Sequence, residues 1–391
     1  MRLGMNKQLL ILPLVLLICF PFGCQKQEQI ERIIEDGVEV VINHQEPYKV
    51  KGAPSTLILE KEIAIDMERD DLAEIGLPDV SFFGADSEGN IYFFRYQRAE
   101  KFIFKFDKNG NFIKSFGRTG QGPGEIQTIS HFLIDSKDNI IISDGANRKI
   151  IFFDNNGELD KEVSYVRNIE NAIPLENGNI LIRRRIRDDS LHTLPHKLIL
   201  SSADFEEIKE LDVYNQPLFW KGGNQMPYRA FLFEWRITKD RIYIGNEQRD
   251  YEILVYDLDG NLLRKIRKDY IPSPMPENLR EESEKSLADN PNAQRWFYVP
   301  KETPPFNSFF IDDDERLFVR TYEEGLHEDE YVHDVYTLDG IYFTRQILKS
   351  YGKLSLDLMP LTAVAKSSRL YCLQEKESGY KELVVYKMKW Q

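Results

Sequence analysis

Along most of this chain, short apolar runs alternate with tight polar punctuation, and the period of the alternation is that of strands rather than helices. Lys101-Phe-Ile-Phe-Lys-Phe-Asp107 leads into Lys-Asn-Gly-Asn and a second β-rich run, and Arg148 to Asp154 leads into Asn-Asn-Gly-Glu and another. Each reads as a hairpin: aromatic and β-branched residues suit a pleated strand, and glycine supplies the positive φ that the turn requires. The unit returns at residues 196–202, 251–257 (then Leu-Asp-Gly-Asn), 331–337 (then Leu-Asp-Gly-Ile) and 381–387. The spacing is about 50 residues, with one longer gap.

A second hairpin precedes each copy. Its turns are Ser87-Glu-Gly-Asn90, Ser136-Lys-Asp-Asn139, Glu176-Asn-Gly-Asn179, Thr238-Lys-Asp240, residues 312–315 and Lys366-Ser-Ser368. Every unit therefore has four strands; in the second they are expected at about 131–135, 140–143, 149–154 and 158–163. Repetition of four antiparallel strands at this period predicts an all-β fold, a six-bladed β-propeller. The sixth copy ends with the chain after its third strand, while an orphan strand, Leu57-Ile-Leu-Glu-Lys-Glu-Ile-Ala-Ile65, precedes the first. It is expected to complete the last blade and close the ring, which removes the open edges of a linear array. The propeller is thus assigned to residues 55–391, with a helical insertion near 270–306. That helix, about 276–288, starts at a proline and carries a thin apolar stripe of Met275, Leu279 and Leu287, as a surface flap would.

The first residues read differently. Arg2 and Lys7 precede an apolar run from Leu9 to Phe20, then Pro21-Phe-Gly-Cys24. The run is shorter than the roughly 20 residues of a spanning helix, so residues 1–23 are read as an export signal. Cys24 after Gly23 resembles a bacterial lipoprotein signal, in which that cysteine is acylated and becomes the mature N-terminus. Residues 24–54 are then a lipid-anchored tether and N-terminal segment, with the polar stretch 25–35 as the tether proper. Cys19 lies in the signal and Cys24 is the lipid site, so Cys372 alone remains in the fold. No intramolecular disulfide is available, and Cys372, inside an apolar run, is expected to be a buried small hydrophobe.

Composition narrows the partners. Fifty-one Lys and Arg against 64 Asp and Glu give a net charge of −13. Nucleic acid and anionic lipid both need clustered positive charge, so neither is expected as a partner.

Gly117-Arg-Thr-Gly-Gln-Gly-Pro-Gly-Glu125, followed by a blade that begins at Ser130 and ends in Gly145-Ala-Asn-Arg-Lys-Ile-Ile-Phe-Phe-Asp154, resembles the NHL-type repeat. More closely, it is similar to the six-bladed β-propeller lipoproteins of Bacteroidota and related bacteria. The resemblance covers residues 82–163; beyond them only strand and turn spacing persists, to Lys387. It implies the propeller fold and a place in the cell envelope, lipid-anchored to the outer membrane on its periplasmic or surface face. Some relatives of the NHL-type propeller are metal-dependent lyases or hydrolases whose ligands come from several blades, but their ligands cannot be matched onto this chain.

Several patterns mimic known chemistry. The glycine loop 117–124 lacks the following helix N-terminus of a phosphate cradle and is read as an inter-blade turn. Asp257-Leu-Asp-Gly-Asn261 lacks the later bidentate Glu of a calcium loop. Six histidines (His44, His131, His192, His196, His327 and His333) include one His-x-x-x-His spacing, but Pro195 denies it a helix face. No metal and no cofactor is expected. Arg183, Arg184, Arg185 and Arg187 form the one dense basic cluster; strand alternation allows two or three to converge on an anion, against a solvated outer face.

Recognition is the better-supported role. The two longest inter-blade segments carry Trp220, Arg229, Arg295 and Trp296, residue types enriched at binding hot spots, against the plainer reading that the tryptophans cap the core. Alignment of the inner strands also places His131, Asn171 and Ser308 at equivalent positions around the channel. The leading expectation is an envelope-anchored binding or scaffold module for a peptide, glycan or partner protein, acting through its long-loop face. The alternative is a propeller lyase or hydrolase with a polar site at the channel mouth; no catalytic set is recognised.

Overall fold

The computed structural model describes residues 30–391 except 53, 78–79, 81, 96–99, 167, 188–192, 219–224, 230, 291, 328–329, 350–362 and 377. Asx turns set its strands. In the third-to-fourth strand hairpins, Asp107 Oδ1 accepts the backbone N–H groups of Asn109 and Asn111, Asp154 those of Asn156 and Glu158, and Asp257 those of Asp259 and Asn261. Gly110, Gly157 and Gly260 hold φ between 73° and 82° there, the left-handed region that a side chain resists. Asp257 is therefore occupied by its own turn rather than arranged for calcium.

Six four-stranded antiparallel sheets result, the blades of a propeller. Blade 1 is Phe82–Ala85, Ile91–Phe94, Lys101–Phe106 and Phe112–Arg118. Blade 2 is Ile129–Ile134, Ile140–Asp144, Lys149–Phe153 and Leu159–Ser164, within two residues of the expected bounds. Blade 3 is Ile169–Pro174, Ile180–Arg185, Thr193–Ser201 and Glu207–Pro217. Blade 4 is Phe233–Ile237, Arg241–Asn246, Glu252–Asp257 and Leu262–Lys268; blade 5 is Ser308–Ile311, Leu317–Glu324, Glu330–Tyr336 and Tyr342–Lys349. Blade 6 combines Ala363–Lys366, Arg369–Glu375 and Lys381–Trp390 with Leu57–Asp66, whose antiparallel register runs from Asp66 opposite Glu382 to Leu57 opposite Trp390. The first strand of each blade lines the central channel. Between blades, apolar faces meet as at the ring junction, where Ile65, Leu383 and Tyr371 of blade 6 pack with Phe83, Phe93 and Phe106 of blade 1.

One element differs from expectation. Glu31–Glu35 is a strand rather than tether, paired with Val38–Asn43, and the second strand of this hairpin adds in parallel to the outer strand of blade 4, Val41 opposite Ile266. The turn is Asp36-Gly37, with φ of 50° and 82°, the two positive values that a two-residue hairpin turn matching strand twist demands. Glu35 meets Lys265 at 3.1 Å and Arg267 at 2.5 Å, and Glu39 meets Arg264 at 2.7 Å. Asn43 is fully buried: its Nδ2 donates to the carbonyls of Arg267 and Gly340, and its Oδ1 accepts the N–H of Tyr342. The chain then crosses the outside of blade 5, where Tyr48 N–H bonds the Tyr342 carbonyl and Thr344 Oγ1 donates to the Ser55 carbonyl, and so reaches blade 6.

The helix Glu277–Ala288 follows Pro276, as expected, and rests on Leu287 with Met275 buried beside it. Cys372 is free and buried, and burial pushes its thiol up to about 12. The glycine loop is consumed internally: Gly122 N–H donates to Glu125 and Gly124 N–H to Glu162, while Lys149 binds the Gly122 carbonyl. Residues 1–29, with the signal and Cys24, lie outside the described residues.

Candidate functional site

Each inner strand runs from an inter-blade loop toward an inner turn, so equivalent positions form rings around the channel. One ring stands three residues before the inner-strand ends: Phe82, His131, Asn171, Glu234, Ser308 and Ala363, opposite Phe94, Ser143, Arg183, Gly245, Arg320 and Cys372 on the neighbouring strands. Blades 2 to 5 thus contribute polar residues and blades 6 and 1 apolar ones. All but Ser308 line a cavity of about 450 Å³ that touches the inner strands of all six blades, a volume within the ~300–1,000 Å³ usual for small-ligand sites.

Local irregularities aim the polar half. In blades 2 and 3 the register shifts just before the ring, leaving Ser130 and Glu170 as the extra residues of bulges, a device that redirects side chains where a ladder stops. The bulged Glu170 reaches Arg183 Nε at 3.3 Å and pairs with Arg185. Arg183 and Arg185, two apart on one strand, therefore share a face and converge, whereas Arg184 points away to Glu207 at 3.4 Å. Burial opposes the charge of Glu170, but His196 and the two arginines outweigh it and hold this carboxyl below its usual range. Arg183 Nη2 lies 3.1 Å from His196 Nδ1, and His196 Nε2 lies 2.7 Å from Gln216 Oε1.

Blade 4 faces this group. Trp235 lies over His131 with ring centroids 6.1 Å apart and planes 22° from parallel, and the Arg183 guanidinium sits 5.7 Å from the Trp235 ring. Burial, reinforced by the Arg236 charge, lowers the His131 imidazole to about 3. Glu234 is buried and its carboxyl is raised by that burial, with only partial compensation from Arg236, which donates to its Oε1. Five buried polar atoms here lack a hydrogen-bond partner among the described residues: Arg183 Nε, Arg185 Nε, Glu234 Oε2, Trp235 Nε1 and Arg236 Nε. Native interiors leave few such groups, and Arg183, Glu234, Trp235 and Arg236, which carry four of them, also line the cavity with other atoms.

The loop residues fare unevenly. Met226–Pro227 pairs in parallel with Phe297–Tyr298, and Gln225 Nε2 donates to the Gln294 carbonyl, so the two insertions join at the channel end where the inner strands begin. Arg295 and Trp296 are exposed on this apron. Arg229 is not free for recognition: it is an ion pair with Glu247 at 2.7 Å, both side chains 12% exposed. Trp220 lies outside the described residues. Trp235, whose sequence context suggested core, and Glu234 were missed as site residues; the short Thr238-Lys-Asp240 turn concealed that Glu234 shares the register of His131. Among the described residues no three His, Cys, Asp or Glu side chains are grouped to hold a metal ion.

Comparison with known proteins bears on the fold. The model of a family described as "6-bladed beta-propeller", DUF5128, matches residues 85–214. The chain is a six-bladed β-propeller. A Bacteroides fragilis protein named for inferred export superposes with a TM-score of 0.50 at 12% identity, over 90% of this chain and 99% of that one. A DUF4221 family member from Bacteroides vulgatus gives 0.49 at 12% identity (87% and 100%), and a gluconolactonase from Xanthomonas campestris 0.41 at 10% (85% and 98%). No curated protein matches the propeller.

Proposed function

We propose that this propeller is a lipid-anchored, NHL-like binding module of the bacterial envelope that captures its ligand in the channel cavity; the two paired insertions form a rim at the end where the inner strands begin, outside the cavity lining. The observation that carries the reading is the channel cavity of about 450 Å³ that touches the inner strands of all six blades and is lined on one side by His131, Asn171, Arg183, Glu234 and Arg236. Binding is favoured over catalysis because His131, lowered to about 3, is a weak base at neutral pH. A glycan or short peptide fits a pocket of this size and mixed polarity better than a flat protein surface would. The export signal and Cys24 support the address, as does the Bacteroides fragilis structure of similar fold whose name infers export.

The test is thermal: the full-length protein, extracted in detergent, is screened against envelope peptides and oligosaccharides. A ligand for the native state raises the melting temperature by mass action, and Ala365→Trp, placed on the cavity wall, should abolish that rise. A shift that survives in this variant moves the site elsewhere, and turnover of a hit transfers the protein to the lyase or hydrolase reading. Separately, Cys24→Ala should release the protein from the membrane fraction, since the acidic chain has no affinity for anionic lipid; unchanged retention removes the lipid anchor.

A further inference from the structure

The path of the N-terminal hairpin sets where an anchor at Cys24 pulls on the propeller. Glu31–Glu35 runs antiparallel to Val38–Asn43, which lies parallel to the outer strand of blade 4, so Glu31 is level with Ile42 and Arg267. Arg267 is near the end of that strand, where the insertion toward blade 5 begins. The chain therefore enters the fold on the insertion side of the ring, at the rim of blade 4. Six residues, 25–30, separate Cys24 from Glu31, and seven Cα steps span at most about 25 Å. A lipid on Cys24 holds this corner of the molecule close to the bilayer.

The same side carries the barest apolar side chains. Among the described residues the four most exposed large apolar ones are Leu326 (91%), Ile271 (71%), Ile34 (70%) and Val166 (64%). Leu326 is in the loop between the second and third strands of blade 5, Ile271 between blades 4 and 5, and Val166 between blades 2 and 3, all at the insertion end. Ile34 is on the anchored hairpin itself. Trp296 and Tyr298, exposed on the paired insertions, add amphipathic rings of the kind that favour a bilayer interface. At the opposite end Ile113, Leu159, Ile208, Leu263 and Leu338 are only 39–51% exposed. The channel opens at that opposite end: its lining runs into the inner turns of blades 4, 5 and 6, and the lining residues that are exposed, Lys239 and Asp313, belong to those turns.

We propose that the propeller rests its insertion face on the bilayer that holds its lipid, with Leu326, Ile271 and Trp296 at the interface and the channel opening turned away from the membrane. This rests on the lipid-anchor reading and extends it from attachment to orientation. A few apolar tips orient a chain that acyl groups already confine to the surface but do not hold it there alone, so release of Cys24→Ala is still expected. The helix Glu277–Ala288 at this end carries four Glu against Arg280 and Lys285, so the bilayer it suits is zwitterionic rather than anionic.

The experiment fixes the anchor chemically, independently of acylation in the cell. The chain expressed from Cys24 onward is coupled through that thiol to a maleimide lipid in phosphatidylcholine vesicles with brominated acyl chains, which quench nearby tryptophan; Cys372 is buried and out of reach. Leu326→Trp should gain emission quenched at least about twofold more strongly than that gained by Leu338→Trp, at the opposite end of the same blade, because interfacial residues seat at the acyl boundary. Trp296→Phe should lower the quenching of the otherwise unsubstituted chain. Melting temperatures verify that the variants are folded. Equal quenching at 326 and 338, stronger quenching at 338, or quenching unchanged by Trp296→Phe overturns the orientation, even where Cys24→Ala releases the cellular protein and so upholds the anchor. Unchanged membrane retention of Cys24→Ala removes the anchor, and this orientation with it, whatever the coupled chain shows.

Discussion

Two histidines, His131 half-buried at the cavity and His333 buried, carry the pH response at the level of single residues. Burial lowers both His131 and His333 to about 3, Arg236 adding to the effect on the first and Arg320 on the second. The unfolded chain takes up a proton at each near pH 6.5 and the folded one does not until about 3, so their contribution to stability is complete above 6.5 and is lost as pH falls through that window. Glu234 acts oppositely: with its folded carboxyl raised, protonation above the ordinary carboxylate range favours the fold. The expected result is a melting temperature that declines from pH 6.5 toward 4, with a shallower decline in His131→Asn and His333→Asn. Identical slopes in all three proteins would show that neither histidine is held neutral. The same scale separates two arginines that looked alike in sequence. Arg229→Ala should lower stability, because it leaves the Glu247 charge at 12% side-chain exposure with only the neutral donors Tyr214 OH and Leu232 N–H. Arg295, exposed, should tolerate replacement, and Trp296→Ala should weaken capture by about 2 kcal/mol if the rim takes part in recognition, with little change in melting.

Among the elements, the N-terminal hairpin has the clearest consequences. It contributes a parallel strand to blade 4 and, through Asn43, ties blades 4 and 5 together with three hydrogen bonds. Asn43→Ala removes all three and leaves the Tyr342 N–H buried and unpaired, so a loss of about 2–4 kcal/mol is expected in denaturant unfolding. A change below about 0.5 kcal/mol would mean that the strap is not part of the cooperative unit. Acid should loosen the same element. Arg267, and after it Lys265, hold Glu35 at about 2, so this anchoring is present above pH 4.5 and fades as pH falls toward 2. Hydrogen exchange at residues 31–43 would accelerate in that window before the blades themselves open.

At the scale of the whole molecule, the ring is closed by one strand. Leu57–Asp66 donates and accepts along the full length of Lys381–Trp390, and places Ile65 in the core at the junction of blades 6 and 1. Removing residues 57–65 exposes that edge and opens the circular core, so the melting transition should fall sharply or broaden as blades lose cooperativity. A truncated protein that melts like the wild type would contradict ring closure by this strand. The strap across blade 5 and the closing strand belong to one continuous N-terminal stretch, so the same stretch braces blades 4 and 5 from outside and closes the ring as the outer strand of blade 6.

Blade number, strand order and the mixed last blade were legible along the chain because their determinants are local: an Asx residue two and four positions before the N–H groups it accepts, a glycine at positive φ, and a strand of alternating pattern on either side. The basic cluster, too, could be read to the point of two alternatives. Only the folded molecule chose between them, since the bulge at Glu170 turns Arg183 and Arg185 toward the channel and leaves Arg184 outside. The Asp36-Gly37 turn was an overlooked local signal for a hairpin, but no local signal connects Asn43 with Tyr342 or Val41 with Ile266; those pairings span more than half the chain and depend on where the blades place their edges. The half-polar ring belongs to the same class: Glu234 and Trp235 come within reach of His131 and Arg183 because ring closure sets blades 2, 3 and 4 around one axis, a relation that exists only between blades.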